Sequence, residues 1–257
     1  MTSISGNSLI ATPCCRAIYA KVRFSSMNFS ASAYWTDGKR ENSLMPNDGG
    51  LRKCECGKFF LISECINLEI DAGENPRYPL TVLESELLSV IQSSTSLDME
   101  LVARRAYWIY LNNEYRELYK LHRDAEEVAI ERKWSIDWGY KNPDNRTLIR
   151  KVLNKFLNNK QSNTAKVGNK PFTFPIFIPT KVQTENMLRL IELIKLKPKN
   201  FIKEYPIELA ELYRELGMFF ESISLIQKMK KENQDRVSSL ILDLSIQGKS
   251  APIRYRL

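Results

Sequence analysis

Four of the five cysteines in this 257-residue chain fall in two tight pairs, and that arrangement constrains the fold more than any other feature. Cys14 and Cys15 are adjacent in Thr-Pro-Cys-Cys-Arg, and Cys54 and Cys56 lie one residue apart in Lys-Cys-Glu-Cys-Gly. Adjacent cysteines do not readily pair with one another. Residues 1–20 carry no apolar stretch of a secretory leader, so the pairs point to a reducing compartment and to metal ligation rather than disulfides. Four thiolates presented on two turns suit a tetrahedral zinc ion. They would close its coordination shell, whereas a catalytic zinc keeps one position open and is usually held by histidine or carboxylate. The single histidine, His122, falls far along the chain on a predicted helix. The expectation is structural Zn2+ on Cys14, Cys15, Cys54 and Cys56; thiols without metal and catalytic zinc are the competing readings. Cys65, inside the apolar run Phe59 to Ile66, reads as a small buried hydrophobe.

The residues around the pairs read as a small β module over residues 1–75. Apolar and polar residues alternate from Ala20 to Phe24, the period of a half-buried strand. Tyr34-Trp35-Thr36 runs into Asp37-Gly38-Lys39-Arg40, a hairpin-turn signal, because Gly reaches positive φ without a Cβ penalty. A second turn cluster, Pro46 to Gly50, delivers the chain to Cys54. Gly57 is the residue type that lets backbone N–H groups turn toward thiolate sulfur, and Lys58 to Ile70 reads as one or two strands. Knuckle, strand, hairpin, knuckle, strand is the plan of a zinc ribbon, with both Cys-x-x-Cys spacings shortened. On Cys14-Cys15, Tyr34-Trp35-Thr36-Asp37-Gly38 and Cys54-x-Cys56-Gly57, about a quarter of the chain resembles the zinc-ribbon domains of uncharacterised bacterial proteins. Ribbons often bind nucleic acid through basic and aromatic loop residues, which makes Arg16, Lys21, Arg23, Tyr34, Trp35, Lys39 and Arg40 candidates for a binding surface. A core role for Tyr34 and Trp35 is the competing reading.

Helical periodicity takes over in a second region, residues 76–160. Leu83, Leu87, Val90 and Ile91 share one face, and Thr95-x-x-Asp98 can start the next helix, through Leu111. Asn112-Asn113 breaks it and caps a helix to about Trp134 with an apolar stripe from Leu118 and Leu121 to Ala129. Arg104 and Arg105 could form a basic rim there. Asn142-Pro143 starts a further helix, and residues 161–182 read as an extended linker containing the proline-rich Pro171 to Pro179. In the last region, 183–257, Thr184 reads as the cap of a helix bearing Met187, Leu190, Ile191 and Ile194. Ala210, Tyr213, Gly217, Phe219, Ser222 and Ile226 resemble the small, aromatic and turn positions of a tetratricopeptide repeat, which implies an antiparallel helix pair and a scaffold for protein contacts.

The fold class expected is therefore α+β, mainly α: a zinc-ribbon-like β module followed by antiparallel helices with a tetratricopeptide-like pair at the end. The net charge of +8 is uneven, −1 over residues 1–97, +3 over 98–160 and +6 over 161–257. A basic helical half admits nucleic acid, although interleaved acids equally make a solvated surface. No Gly-rich phosphate loop, nucleophile elbow or histidine-bearing metal motif is present, so an enzyme is not expected. No apolar run is long enough to span a membrane. The chain reads as a cytoplasmic interaction or adaptor protein with a protein partner, the alternative being a nucleic-acid-binding protein.

Overall fold

A computed structural model describes residues 3–26, 31–43, 49–71, 77–123, 176–197, 205–229 and 235–255. Met1–Asn113 together with Phe177–Leu257 form one compact unit, and Glu114–Ile176 a second. The architecture of the first unit is small antiparallel sheets followed by helices, the α+β plan expected.

Strand β1 (Ser3–Ala11) lies between β2 (Ile18–Ser26) and β7 (Ile66–Asp71), antiparallel to both. β1 precedes the first cysteine pair and lacks the alternation that would have announced it. A tight turn joins β1 to β2, with Thr12 N donating to Ala17 O (3.0 Å), Arg16 N donating to Thr12 O (3.1 Å), and Arg16 left-handed at φ 60°. A second sheet places β5 (Leu51–Lys53) between β6 (Phe59–Leu61) and β8 (Leu80–Thr81). Leu51 and Leu61 from this sheet pack with Leu87 and Val90 of α1 (Leu87–Gln92) and Met99, Ala103 and Tyr107 of α2 (Leu97–Leu111). Leu83 does not join that face: Glu84–Glu86 form a 3-10 turn ahead of α1, leaving Leu83 61% exposed.

Side-chain caps start two of the helices at positions offset from the expected ones. Ser96, rather than Thr95, caps α2, its Oγ accepting from Met99 N at 3.2 Å. Thr180, rather than Thr184, caps α3 (Lys181–Leu196) in a reciprocal box with Gln183. The predicted face of α3 is buried, with Met187, Leu190, Ile191 and Ile194 packing against Leu101 and Trp108 of α2 and against Leu209 and Leu212 of α4 (Pro206–Glu215). Gly217, at φ 75°, makes the turn from α4 into α5 (Phe219–Gln227). Ala210, Ile226 and Ile241 join α4 and α5 to α6 (Arg236–Ile246), and Ser222 meets Ser245 at 2.9 Å where α5 and α6 come close.

The aromatic hairpin turns where expected, with Trp35 N donating to Lys39 O (2.8 Å) and Gly38 at φ 87°. Its sheet, however, is not part of the cysteine module. β3 (Ala33–Trp35) lies between β4 (Arg40–Glu41) and the C-terminal β9 (Arg254–Tyr255). The last described strand is thereby joined to the hairpin, with Arg254 paired to Glu41 at 2.8 Å.

In the second unit, residues 114–123 are helical, with Tyr115 buried and its ring 6.4 Å from that of Tyr119. Leu118 and Leu121, expected on an apolar stripe, are 45% and 69% exposed. The rest of that predicted helix, the Asn142-Pro143 helix, and the linker up to Pro175 lie outside the described residues. Among the described residues, no helix is long and apolar enough to cross a membrane.

Candidate metal centre

The two cysteine pairs sit on the turn between β1 and β2 and on the knuckle between β5 and β6. In the knuckle, Cys54 N donates to Lys58 O (2.8 Å) and Gly57 N to Cys54 O (2.9 Å), with Gly57 at φ 85°. All four Sγ atoms lie within 4.8 Å of one another. Cys15 and Cys54 are 3.5 Å apart, Cys14 and Cys56 3.6 Å, and Cys14 and Cys15 3.8 Å. A tetrahedral zinc with bonds of about 2.3 Å holds its sulfurs about 3.8 Å from one another, so this donor set fits the ion. The separations are too long for disulfides, and all five cysteines are free. The adjacent and one-apart spacings are compatible with convergence because each pair straddles a tight turn.

Hydroxyl groups support the sulfurs. Glu55 N donates to Tyr19 Oη (3.1 Å), which leaves the phenol proton to donate to Cys54 Sγ at 3.5 Å. Thr12 Oγ1 lies 3.5 Å from Cys14 Sγ and 3.8 Å from Cys15 Sγ. Arg77 covers the Tyr19 ring at 5.3 Å and pairs with Glu55. Without metal the thiols divide. Burial, aided by the other cysteines, pushes Cys14 up to about 12. Burial also works against ionising Cys54, but the backbone N–H of Cys56 and the Tyr19 hydroxyl overcome it and bring Cys54 down to about 6. Cys65 is half-buried against the same small core, and burial pushes its thiol up to about 11. It is not among the clustered sulfurs.

The candidate surface residues are divided between two places. Arg16, Lys21 and Arg23 are exposed on β2 and the turn that leads into it. Trp35 is 1% exposed and its indole N–H donates to Glu41 Oε1 (2.9 Å), so it serves the core; Tyr34 is half-buried and stacks on Tyr255 at 5.8 Å. Lys39 Nζ donates to Asn113 Oδ1. Arg104 is held by Glu100 and Asn186, and Arg105 makes a two-pronged pair with Glu208 at 2.7 and 2.9 Å. Of the hairpin and helix candidates, Arg40 has no side-chain hydrogen bond or ion pair among the described residues.

A buried polar network beside the hairpin escaped sequence reasoning. Arg214 binds Glu211 through both Nε (2.7 Å) and Nη2 (2.5 Å) and donates to Lys249 O. Asn112 Nδ2 donates to Asp37 Oδ2 (2.9 Å) and to Glu215 Oε2 (3.1 Å), and Trp108 Nε1 donates to the same Glu215 oxygen (2.8 Å). Burial first, then the neighbouring Glu211 and Asp37, raise Glu215 well above the usual carboxylate range. Glu211, Arg214 and Glu215 have the i, i+3, i+4 spacing of a solvated helix face, which hides their burial.

Comparisons with family models, with curated proteins and with solved structures returned no match.

Proposed function

We propose that this chain is a non-enzymatic interaction protein whose N-terminal module is folded by a structural zinc ion on Cys14, Cys15, Cys54 and Cys56. The observation that carries the reading is the convergence of the four sulfurs, from two turns, at the spacing of a tetrahedral thiolate site. When bound, the ion would supply no Lewis-acid chemistry to a substrate, because four protein ligands leave it no open position. Its work is to hold two turns together where, among the described residues, a small cluster of Ile10, Tyr19, Cys54 and Phe60 forms the buried core. So small a core needs a staple. Tyr19 and Thr12 orient the sulfurs and share their charge.

A protein partner is favoured over nucleic acid at the helical end because Arg104 and Arg105 are already paired with acids, while Leu188, Leu196, Phe220 and Ile246 are exposed. The nucleic-acid reading rests on exposed Arg16, Lys21 and Arg23, on β2 and the turn that leads into it. Capture of partners by the zinc-loaded protein, with and without nuclease, separates the two. The interaction reading expects a protein retained after nuclease, and retained also by the Cys54→Ser/Cys56→Ser variant, whose helical end stays folded. Retention that nuclease abolishes and that falls steeply with salt would favour nucleic acid instead.

A further inference from the structure

The hairpin, the C-terminal strand and three helices enclose a cleft of about 460 Å³, within the range of small-molecule sites. We propose that this cleft binds a small molecule made of a planar unsaturated ring carrying one anionic group, with the anion paired to Arg40. The inference rests on the cleft alone and is independent of the zinc reading.

Trp35, Trp108 and Tyr255 line the cleft together with Ile109, Ile207 and Val237. Aromatic and aliphatic surface with a few fixed polar groups is what a flat organic ring fits. The walls are also held in place. Glu41 fixes the Trp35 indole, Glu215 fixes the Trp108 indole, and Tyr255 is stacked on Tyr34. A cleft whose side chains are already locked loses little freedom when a ligand enters.

The sign of the ligand's charge follows from which charged groups at the cleft are already engaged. Asp37 accepts from Asn112 Nδ2 and from Lys39 N. Arg105 and Glu208 are paired with each other, and Asp235 accepts from Ser238 N as the cap of α6. Arg40 is half-buried at the cleft and has no such partner among the described residues. A guanidinium partly removed from water and left unpaired is the group a carboxylate or phosphate would satisfy.

The test uses the full-length, zinc-loaded protein and three probes that share one ring: 1-naphthoate, 1-naphthyl phosphate and 1-naphthylmethylamine, titrated by calorimetry. At least one anion is expected to bind at a single site, about tenfold or more tighter than the amine. The tighter anion identifies the head group as carboxylate or phosphate. Arg40→Gln should weaken that anion by about tenfold or more while zinc content and far-ultraviolet dichroism stay as in the wild type. The proposal is overturned if neither anion binds at millimolar concentration, if the amine binds as tightly as the better anion, or if Arg40→Gln leaves the affinity unchanged.

Discussion

Tyr19 joins the cysteine site to the module's core. Its ring packs with Ile10 and Phe60, while its hydroxyl accepts from Glu55 N and faces Cys54 Sγ. Tyr19→Phe keeps the ring and removes the support, so zinc affinity should fall about 10- to 100-fold, read by competition with a chromophoric chelator, with the fold retained. Unchanged affinity would mean the hydroxyl does not serve the metal. Glu215 makes a second residue-scale prediction. A carboxyl whose value is raised by folding contributes stability that is complete below its ordinary value near 4.5 and is lost as pH rises through the raised value. Glu215→Gln removes that loss. The variant's melting temperature should match the wild type near pH 4.5 and exceed it increasingly as pH rises; a gap that shrinks with pH contradicts the assignment. The two residues also mark what the sequence discloses at this scale. Paired thiols are legible because so few chemistries use that pattern. The buried Glu211, Arg214 and Glu215 were not, because burial is decided by what Asp37, Asn112 and Lys249 bring from elsewhere in the chain.

Among the elements, apolar periodicity placed α1, α2 and α3, the small, aromatic and turn residues Ala210, Tyr213, Gly217 and Ser222 placed α4 and α5, and the Asp-Gly signal placed the hairpin. Boundaries were less legible, because several Ser and Thr residues near each start can cap and only tertiary packing selects one. Thr180 and Thr184 make the choice testable. Thr180→Ala removes the side-chain acceptor for Gln183 N and should cost about 1 kcal/mol by chemical denaturation. Thr184→Ala, inside the helix, should stay within about 0.5 kcal/mol. The reverse order would restore Thr184 as the cap. β1 was invisible for a different reason. Its outer half is exposed and its inner half is buried, so no alternation develops along Ser3–Ala11. β9 is two residues long and exists because β3 offers it an edge, which no local pattern encodes.

Across the first unit, the cysteine turns and the helices are fastened by different means. The sulfur end has a small buried cluster among the described residues, Ile10, Tyr19, Cys54 and Phe60, while α2 to α6 share apolar layers around Leu190 and Ile241, with the hairpin secured to them by the Asp37–Asn112–Glu215 network. The aromatic hairpin therefore belongs energetically with the helices, although in sequence it lies between the cysteine pairs. Loss of zinc should expose the amides of β1, β2 and the Cys54 knuckle to hydrogen exchange while α3 to α6 keep their protection. The most direct test of the zinc site is X-ray absorption at the zinc edge on protein purified under reducing conditions, with metal content measured on the same sample. The proposed zinc site predicts about one zinc per chain with a shell of four sulfurs at about 2.3 Å, absent from Cys54→Ser/Cys56→Ser. Less than about half a zinc per chain, or a shell containing nitrogen or oxygen, would contradict it.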